Sequence, residues 1–206
     1  MQKTVEQLGK LFGSTAQVKC MRLFLQQPDR AFAITEISER TKASPSELRK
    51  ALSSLRLVGF LNPKKVTIKK KLKNGKVQTK KLPGFELKKS YPLIPHLENL
   101  LISTGLIEPA EIQSMFAPIG KTHLLVLSGH FMQDADRMID LMIVCDRVNE
   151  RMLTRAVKTL ESEIGREVRY AHFTLPEYHY RMTMYDKLLR DIFDYPHLKV
   201  IDKIKN

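Results

Sequence analysis

The 206-residue chain lacks most of the residue patterns that mark secreted, metal-binding or membrane proteins. Its two cysteines, Cys20 and Cys145, form no CxxC pair, so neither a zinc ribbon nor a disulfide framework is expected. No segment approaches the roughly 20 apolar residues of a membrane span, and the polar N-terminus lacks the apolar region of a signal peptide. These absences predict a cytoplasmic protein.

Acidic residues are scarce in the first half of the chain. Residues 1–92 hold 21 Lys and Arg against 6 Asp and Glu, whereas residues 93–206 hold 14 against 16. The net charge of +13 therefore comes from the N-terminal half alone. Hydrophobic residues make up 43% of the chain, which is enough for a packed core. The asymmetry predicts two domains, of which the N-terminal one binds a polyanion.

The segment 14–58 has the pattern of three helices. The first follows Ser14 and ends before Pro28, and Thr35 is the expected N-cap of the second. The third begins with Ser44-Pro45-Ser46-Glu47, which combines a capping box with proline at the first helical position. Its apolar residues recur at helical spacing up to Gly59, a suitable stop, at Leu48, Ala51, Leu52, Leu55 and Val58. Two short helices joined by a tight turn after a longer one predict a helix-turn-helix unit.

A lysine-rich hairpin is predicted directly after these helices. Two strand-like runs flank Asn74-Gly75, a dipeptide that favours a type I′ turn. Residues 60–92 contain 11 lysines and one acidic residue, Glu86, and Pro83-Gly84 and Pro92 are taken to mark the end of the hairpin. Such a hairpin can be merely a soluble, protected sheet edge. Its position after a capped helix favours nucleic-acid binding instead.

The order helix, helix-turn-helix, hairpin resembles the winged helix-turn-helix DNA-binding domains of bacterial and archaeal regulators. The resemblance covers LFGSTAQVKCMRLFL and ITEISERTKASPSELRKALSSLRLVGFL. It implies a recognition helix at residues 44–58 in the major groove of double-stranded DNA, and a wing whose lysines contact phosphates. Candidate DNA-binding residues are Ser44, Ser46, Arg49, Lys50, Ser53 and Ser54 on the helix and Lys69, Lys71, Lys73 and Lys76 on the wing.

The remainder of the chain predicts a second, smaller domain. We expect a first domain over 1–92, a helical linker over 93–118 with helices at 95–104 and 108–116, and a second domain over 119–206. Strands are expected at 123–129, 137–146, 166–174 and 198–202, with helices at 147–165 and about 176–193. This order predicts a small α/β domain with a mixed sheet, so that the whole chain is α+β.

The run LSGHFMQDADRMIDLMIVCDRV resembles the core of minimal nucleotidyltransferases of the polymerase-β superfamily. In that family Gly-Ser follows the first strand and Asp-x-Asp on the second strand holds two metal ions. Here Gly129 and Asp140 match, but His130 replaces the serine and Met138 the first aspartate. The third carboxylate has no counterpart. The departures predict a degenerate domain that is not an enzyme and needs no metal or cofactor.

The leading hypothesis is a DNA-binding transcriptional regulator, cytoplasmic and associated with the nucleoid. The second domain would then form a homodimer, sense a small molecule or contact a partner protein. Candidate dimer surfaces are the first helix, the 95–104 helix and the C-terminal helices. The alternatives are a divergent nucleotidyltransferase targeted by a winged helix, and a toxin–antitoxin component.

Overall fold

The computed structural model describes residues 4–71, 77–103 and 107–204, without the side chains at positions 4, 69–71, 77 and 103. The chain is α+β, as predicted, and divides into two compact units. Unit 1 comprises Met1–Thr104 and Ser162–Arg166, and unit 2 comprises Gly105–Glu161 and Glu167–Asn206. Within the described ranges, none of the helices has the length and apolar character required to cross a membrane.

Unit 1 combines helices with a three-stranded antiparallel sheet. Its elements are α1 (Thr4–Leu11), α2 (Thr15–Gln26), β1 (Phe32–Ala33), α3 (Ile34–Thr41), α4 (Pro45–Leu57), β2 (Leu61–Lys71) and β3 (Val77–Leu87), followed by α5 (Ile94–Glu98) and a π-helical turn (Asn99–Ser103). The strand order is β1-β3-β2. The predicted turn at Asn74-Gly75, between the long strands β2 and β3, lies outside the described residues.

Both ends of α4 follow from local sequence signals, as predicted. The Ser44 side chain accepts a hydrogen bond from the Glu47 backbone, and the Glu47 carboxylate accepts one from the Ser44 backbone, which completes the capping box. At the other end Gly59 has φ +76°. The Gly59 N–H donates to the carbonyl oxygen of Arg56 at 3.0 Å, and the Phe60 N–H donates to the carbonyl oxygen of Leu55 at 2.9 Å. These two bonds form a Schellman motif, which ends the helix.

Two expectations for unit 1 were wrong. Thr35 is not an N-cap, because α3 already begins at Ile34, directly after β1. Gly84 does not end the hairpin but lies inside β3 opposite Ala33. A Cβ at Gly84 would lie 2.2 Å from the carbonyl oxygen of Phe32, so the close pairing of β1 with β3 requires glycine.

Unit 2 is built on a four-stranded sheet. Its elements are α6 (Pro109–Phe116), β4 (Lys121–Leu127), β5 (Leu141–Asp146), residues 150–161 of α7 (Glu150–Ile164), β6 (Tyr170–Phe173), α8 (Leu175–Thr183), α9 (Lys187–Phe193) and β7 (Leu198–Asp202), with short 3₁₀ turns at Ala117–Ile119 and Gly129–Met132. The strand order is β6-β5-β4-β7. Strands β5 and β6 are parallel and the other pairs antiparallel, so the mixed sheet is confirmed.

Two strands of unit 2 are shorter than predicted. Strand β5 begins at Leu141 and β6 at Tyr170. Asp140 therefore precedes β5 instead of lying on it beside Met138. The backbone N–H of Asp140 donates to the carbonyl oxygen of Arg169 at 2.7 Å. The carbonyl oxygen of Asp140 accepts from the backbone N–H of Ser128 at 2.9 Å. These two bonds place Asp140 where the chain leaving β4 passes the segment entering β6.

Candidate functional site

The exposed face of α4 carries most of the helix residues predicted to contact DNA. Leu48, Ala51, Leu52 and Leu55 are at most 5% exposed and face the core of unit 1. The opposite side exposes the polar residues Ser46, Arg49, Lys50 and Ser53, whereas Ser54 is half-buried. The capping box and the buried leucines fix this face, because they set both the start and the rotation of the helix.

Ser44 is exposed, but its hydroxyl is already engaged within the chain. It accepts from the Glu47 backbone at 3.3 Å and donates to the Glu47 carboxylate at 2.6 Å. Hydrogen bonds from the Ser44 side chain, and then from its backbone, hold the pKa of Glu47 below its usual range. Ser44 thus orders the first turn of α4, and a contact from its hydroxyl to DNA would compete with this cap.

A groove of about 370 Å³ runs beside α4, between that helix, α3 and β3. Leu48, Leu52 and Phe85 are among its apolar lining residues, while Arg49 and Arg56 bring two guanidinium groups to it. Arg56 was not among the residues predicted from the sequence. Its spacing from Arg49 could have indicated it, because residues seven apart lie two turns along the same side of a helix.

The side chains of Arg49 and Arg56 form no ion pair or hydrogen bond with the residues that the structure describes. The arginines on the neighbouring segment differ. Arg30 and Arg40 both pair with Glu36, at 2.6 and 3.3 Å. The positive charge along the groove is therefore free of a partner on this part of the chain, and an external anion can approach it.

The hairpin carries further free cations on its described part. Lys73 and Lys76, and the side chains of Lys69 and Lys71, lie outside the described residues. Nearer the base of the hairpin, three exposed lysines have no ion-pair partner among the described residues, Lys65, Lys80 and Lys81. These three were not singled out from the sequence, although they belong to the same lysine-rich stretch. Lys64, by contrast, pairs with Glu86 at 2.7 Å.

The second candidate site surrounds Asp140 in unit 2. Asp140 is 1% exposed. Its Oδ1 accepts hydrogen bonds from the backbone N–H of His130 at 3.1 Å and from Nη2 of Arg169 at 2.9 Å. The ring Nδ1 of His130 lies 2.8 Å from the same oxygen. Its Oδ2 accepts from the backbone N–H and the Nε of Arg169, at 2.9 and 3.1 Å. Burial raises the pKa of Asp140, but the bonds from Arg169 and His130 outweigh this and hold it well below its usual range.

Gly129 is required by the same arrangement. It has φ +55°, and a Cβ at this position would lie 2.4 Å from Asp140 Oδ1. The glycine that matches the nucleotidyltransferase pattern therefore lets the Asp140 carboxylate approach the backbone.

The lone pairs of Asp140 are directed at Arg169 and His130. A cation would have to displace the guanidinium in order to bind there. Asp134, in the preceding loop, pairs with Arg137 at 2.9 Å. Across the described residues, no group of three or more His, Cys, Asp or Glu side chains is placed to hold a metal ion.

Comparison of the chain with protein-family models, curated proteins and solved structures finds no match.

Proposed function

We propose that the protein is a DNA-binding transcriptional regulator and that unit 1 is a winged helix-turn-helix domain. The observation that carries the proposal is the exposed polar face of α4, with Arg49 and Arg56 unpaired among the described residues. The element order and the β1-β3-β2 sheet support it, since they place a two-helix turn and a long hairpin in one compact unit. The proposed location is the cytoplasm, in association with the nucleoid.

In this proposal α4 lies in the major groove. Arg49 donates to the guanine N7 and O6 acceptors or to a phosphate, and Lys50 contributes a second donor. Arg56 lies about 10 Å further along the helix, so it contacts the flanking backbone while Arg49 is at the bases. The hairpin lysines contact phosphates and raise the affinity for any sequence.

The hairpin is tested by replacing Lys69, Lys71, Lys73 and Lys76 with alanine. We expect weaker binding to all DNA sequences alike, with the slope of log K against log salt reduced by up to about 3.6 for four lost phosphate contacts. The measurement is fluorescence anisotropy at several salt concentrations. A matched control removes four exposed lysines of unit 2, Lys121, Lys158, Lys187 and Lys203. An equal loss of slope in this control would contradict the role of the hairpin.

The recognition helix is tested separately with Arg49→Ala and Lys50→Ala. Loss of a bidentate base contact is expected to reduce discrimination between specific and scrambled DNA by about 1–3 kcal/mol. Arg30→Ala is the control, because Arg30 already pairs with Glu36. If the hairpin variants change site preference and the α4 variants do not, the two roles are reversed.

For unit 2 we propose a nucleotidyltransferase-like domain without catalytic activity, which forms a homodimer. The engagement of the Asp140 carboxylate by Arg169 and His130 supports the loss of activity, because phosphoryl transfer of this kind needs carboxylates that bind metal ions. Incubation with Mg²⁺ and labelled nucleoside triphosphates is expected to transfer no label to protein or RNA. Transfer by the purified protein would overturn this part of the proposal.

A further inference from the structure

The groove beside α4 has an apolar floor that the proposed DNA contacts leave without a role. We name it the α3–α4 groove, since most of its lining residues come from these two helices. Its floor contains Leu48, Leu52 and Phe85, and apolar surface predominates in its lining. The contacts proposed for DNA are hydrogen bonds and ion pairs, which need no such floor. The floor therefore suits a ligand with an apolar body.

The α3–α4 groove has the size and composition of a small-molecule site. Its volume is about 370 Å³, and such sites typically measure about 300–1,000 Å³, with an apolar lining and a few polar groups. Leu48 and Leu52 are only 3 and 5% exposed and belong to the core of unit 1. The floor is therefore already formed before any ligand binds.

The charges at the groove are of one sign. Among its described lining residues, Arg49 and Arg56 are basic and none is acidic. Glu36, on the adjacent α3, is already engaged by Arg30 and Arg40. An anion in the groove therefore meets two guanidinium groups that are unpaired among the described residues, and it meets no carboxylate in the lining.

The two arginines are placed to hold one acid group between them. They are seven residues apart, which separates them by about 10 Å along the helix axis and by about 20° around it. An acid group midway between them would be about 5 Å along the axis from each. A guanidinium group can donate two parallel hydrogen bonds to such an anion. Lys50, by contrast, lies about 100° around the helix from Arg49 and does not line the groove.

We infer that the α3–α4 groove binds a small organic anion, whose apolar body packs on Leu48, Leu52 and Phe85 and whose acid group lies between Arg49 and Arg56. The same guanidinium groups are the ones proposed to contact DNA, so the anion and DNA compete. The inference thus names a ligand class that regulates the DNA site, and its regulatory part rests on the proposed function.

The probe for the test is anilinonaphthalene sulfonate, an aromatic body with one sulfonate group. Its matched partner is phenylnaphthylamine, which has the same rings and no sulfonate. Both become more fluorescent when they move from water to an apolar site. In a titration of the full chain, we expect the sulfonate probe to bind about tenfold more tightly than the neutral probe or better.

Two kinds of variant locate the site. Arg49→Gln and Arg56→Gln should each weaken binding of the sulfonate probe by about fivefold or more and change that of the neutral probe little. Thr35→Trp, an exposed position in the groove lining, should weaken both probes, because the larger side chain fills the groove without a change of charge. The controls are Arg151→Gln and Thr154→Trp, at exposed positions of α7 in unit 2. Circular dichroism checks that each variant is folded.

Equal affinity of the two probes would overturn the inference. So would sulfonate binding that Arg49→Gln and Thr35→Trp weaken no more than their controls do. Displacement of labelled duplex DNA by the sulfonate probe, but not by the neutral probe, is the expected sign of competition, and binding of DNA and probe together would contradict it. Arginine-dependent probe binding by a chain that binds no DNA would disprove only the proposed function. DNA binding without such probe binding would disprove only the inference.

Discussion

The candidate sites of the two units use their charged side chains in opposite ways. In unit 1 several exposed cations have no ion-pair partner among the described residues, Arg49, Arg56, Lys65, Lys80 and Lys81. In unit 2 many cations are paired with acids of the same unit, as in Arg137–Asp134, Arg137–Asp191, Arg169–Asp140, Arg181–Asp186 and Arg190–Asp194. A free cation is available to an external polyanion, whereas a paired one contributes to its own fold. Removal of charge should therefore affect DNA binding at the α4 and hairpin face of unit 1 and folding at the Asp140 site of unit 2.

The largest effect on stability is expected for Asp140→Asn. The change removes the charge that Arg169 and His130 surround and replaces an acceptor oxygen with a donor, so we expect a loss of about 3 kcal/mol in the free energy of unfolding. Urea denaturation of the full chain measures it. A loss below about 0.5 kcal/mol would contradict the structural role of this carboxylate.

The pH dependence of the same variant sharpens this test. The pKa of Asp140 is held below its ordinary value in the folded protein. Its contribution to stability is therefore fully present above the unfolded-state pKa of about 3.9, and it is lost as the pH falls through the folded-state value. The difference between wild type and Asp140→Asn should be constant near neutral pH and shrink below about pH 4. A difference that grows on acidification would contradict a stabilising role for the ionised Asp140 carboxylate.

The next effect is expected at Gly129. Gly129→Ala forces a Cβ into positive φ and against Asp140 Oδ1, so it should destabilise the protein by about 2 kcal/mol or more. Gly13→Ala is a matched control, because Gly13 also has positive φ but a Cβ there would meet nothing within 4 Å. Thermal denaturation compares the two. Equal losses would show that the Asp140 contact adds nothing to the backbone strain.

A smaller effect is expected in unit 1 from Ser44→Ala. Loss of the N-cap of α4 should cost about 1 kcal/mol of stability. Ser46→Ala is the control for stability, because Ser46 is exposed on the same turn and does not cap the helix. If Ser44 acts only as a cap, DNA affinity should change little in buffer where the variant is fully folded. A specific loss of affinity there would show that its hydroxyl also contacts DNA.

The smallest effect on stability is expected when Lys65, Lys80 and Lys81 are replaced with glutamine. None of the three pairs with an acid within the described part of the chain, so the free energy of unfolding should change by less than about 0.5 kcal/mol. DNA affinity at low salt should nevertheless fall. A destabilisation comparable with that of Asp140→Asn would remove the distinction between the two units.

The elements of unit 1 could be predicted because their signals are local. Ser44 and Glu47 determine the start of α4 and Gly59 determines its end, each within a few residues of the end that it sets. The start of α3 could not be predicted in this way. It depends on the pairing of β1 with β3, which lies about fifty residues further along the chain. Helix caps and hydrophobic spacing contain no information about that contact.

The surroundings of Asp140 could be predicted only in part. The resemblance to nucleotidyltransferases singled out Gly129 and Asp140, but not Arg169, which lies 29 residues beyond Asp140 in sequence. The parallel pairing of β5 with β6 places the segment before β6 beside Asp140. Spacing within one strand could not reveal this partner.

The most direct test of the central claim is anisotropy of two labelled DNA fragments at near-physiological salt. One fragment is taken from upstream of the gene that encodes this chain, and the other is its scrambled counterpart. A site-specific regulator is expected to prefer the upstream fragment by about a thousandfold or more. Equal, salt-sensitive binding to both would contradict a site-specific regulator and leave unit 1 as a non-specific nucleic-acid tether.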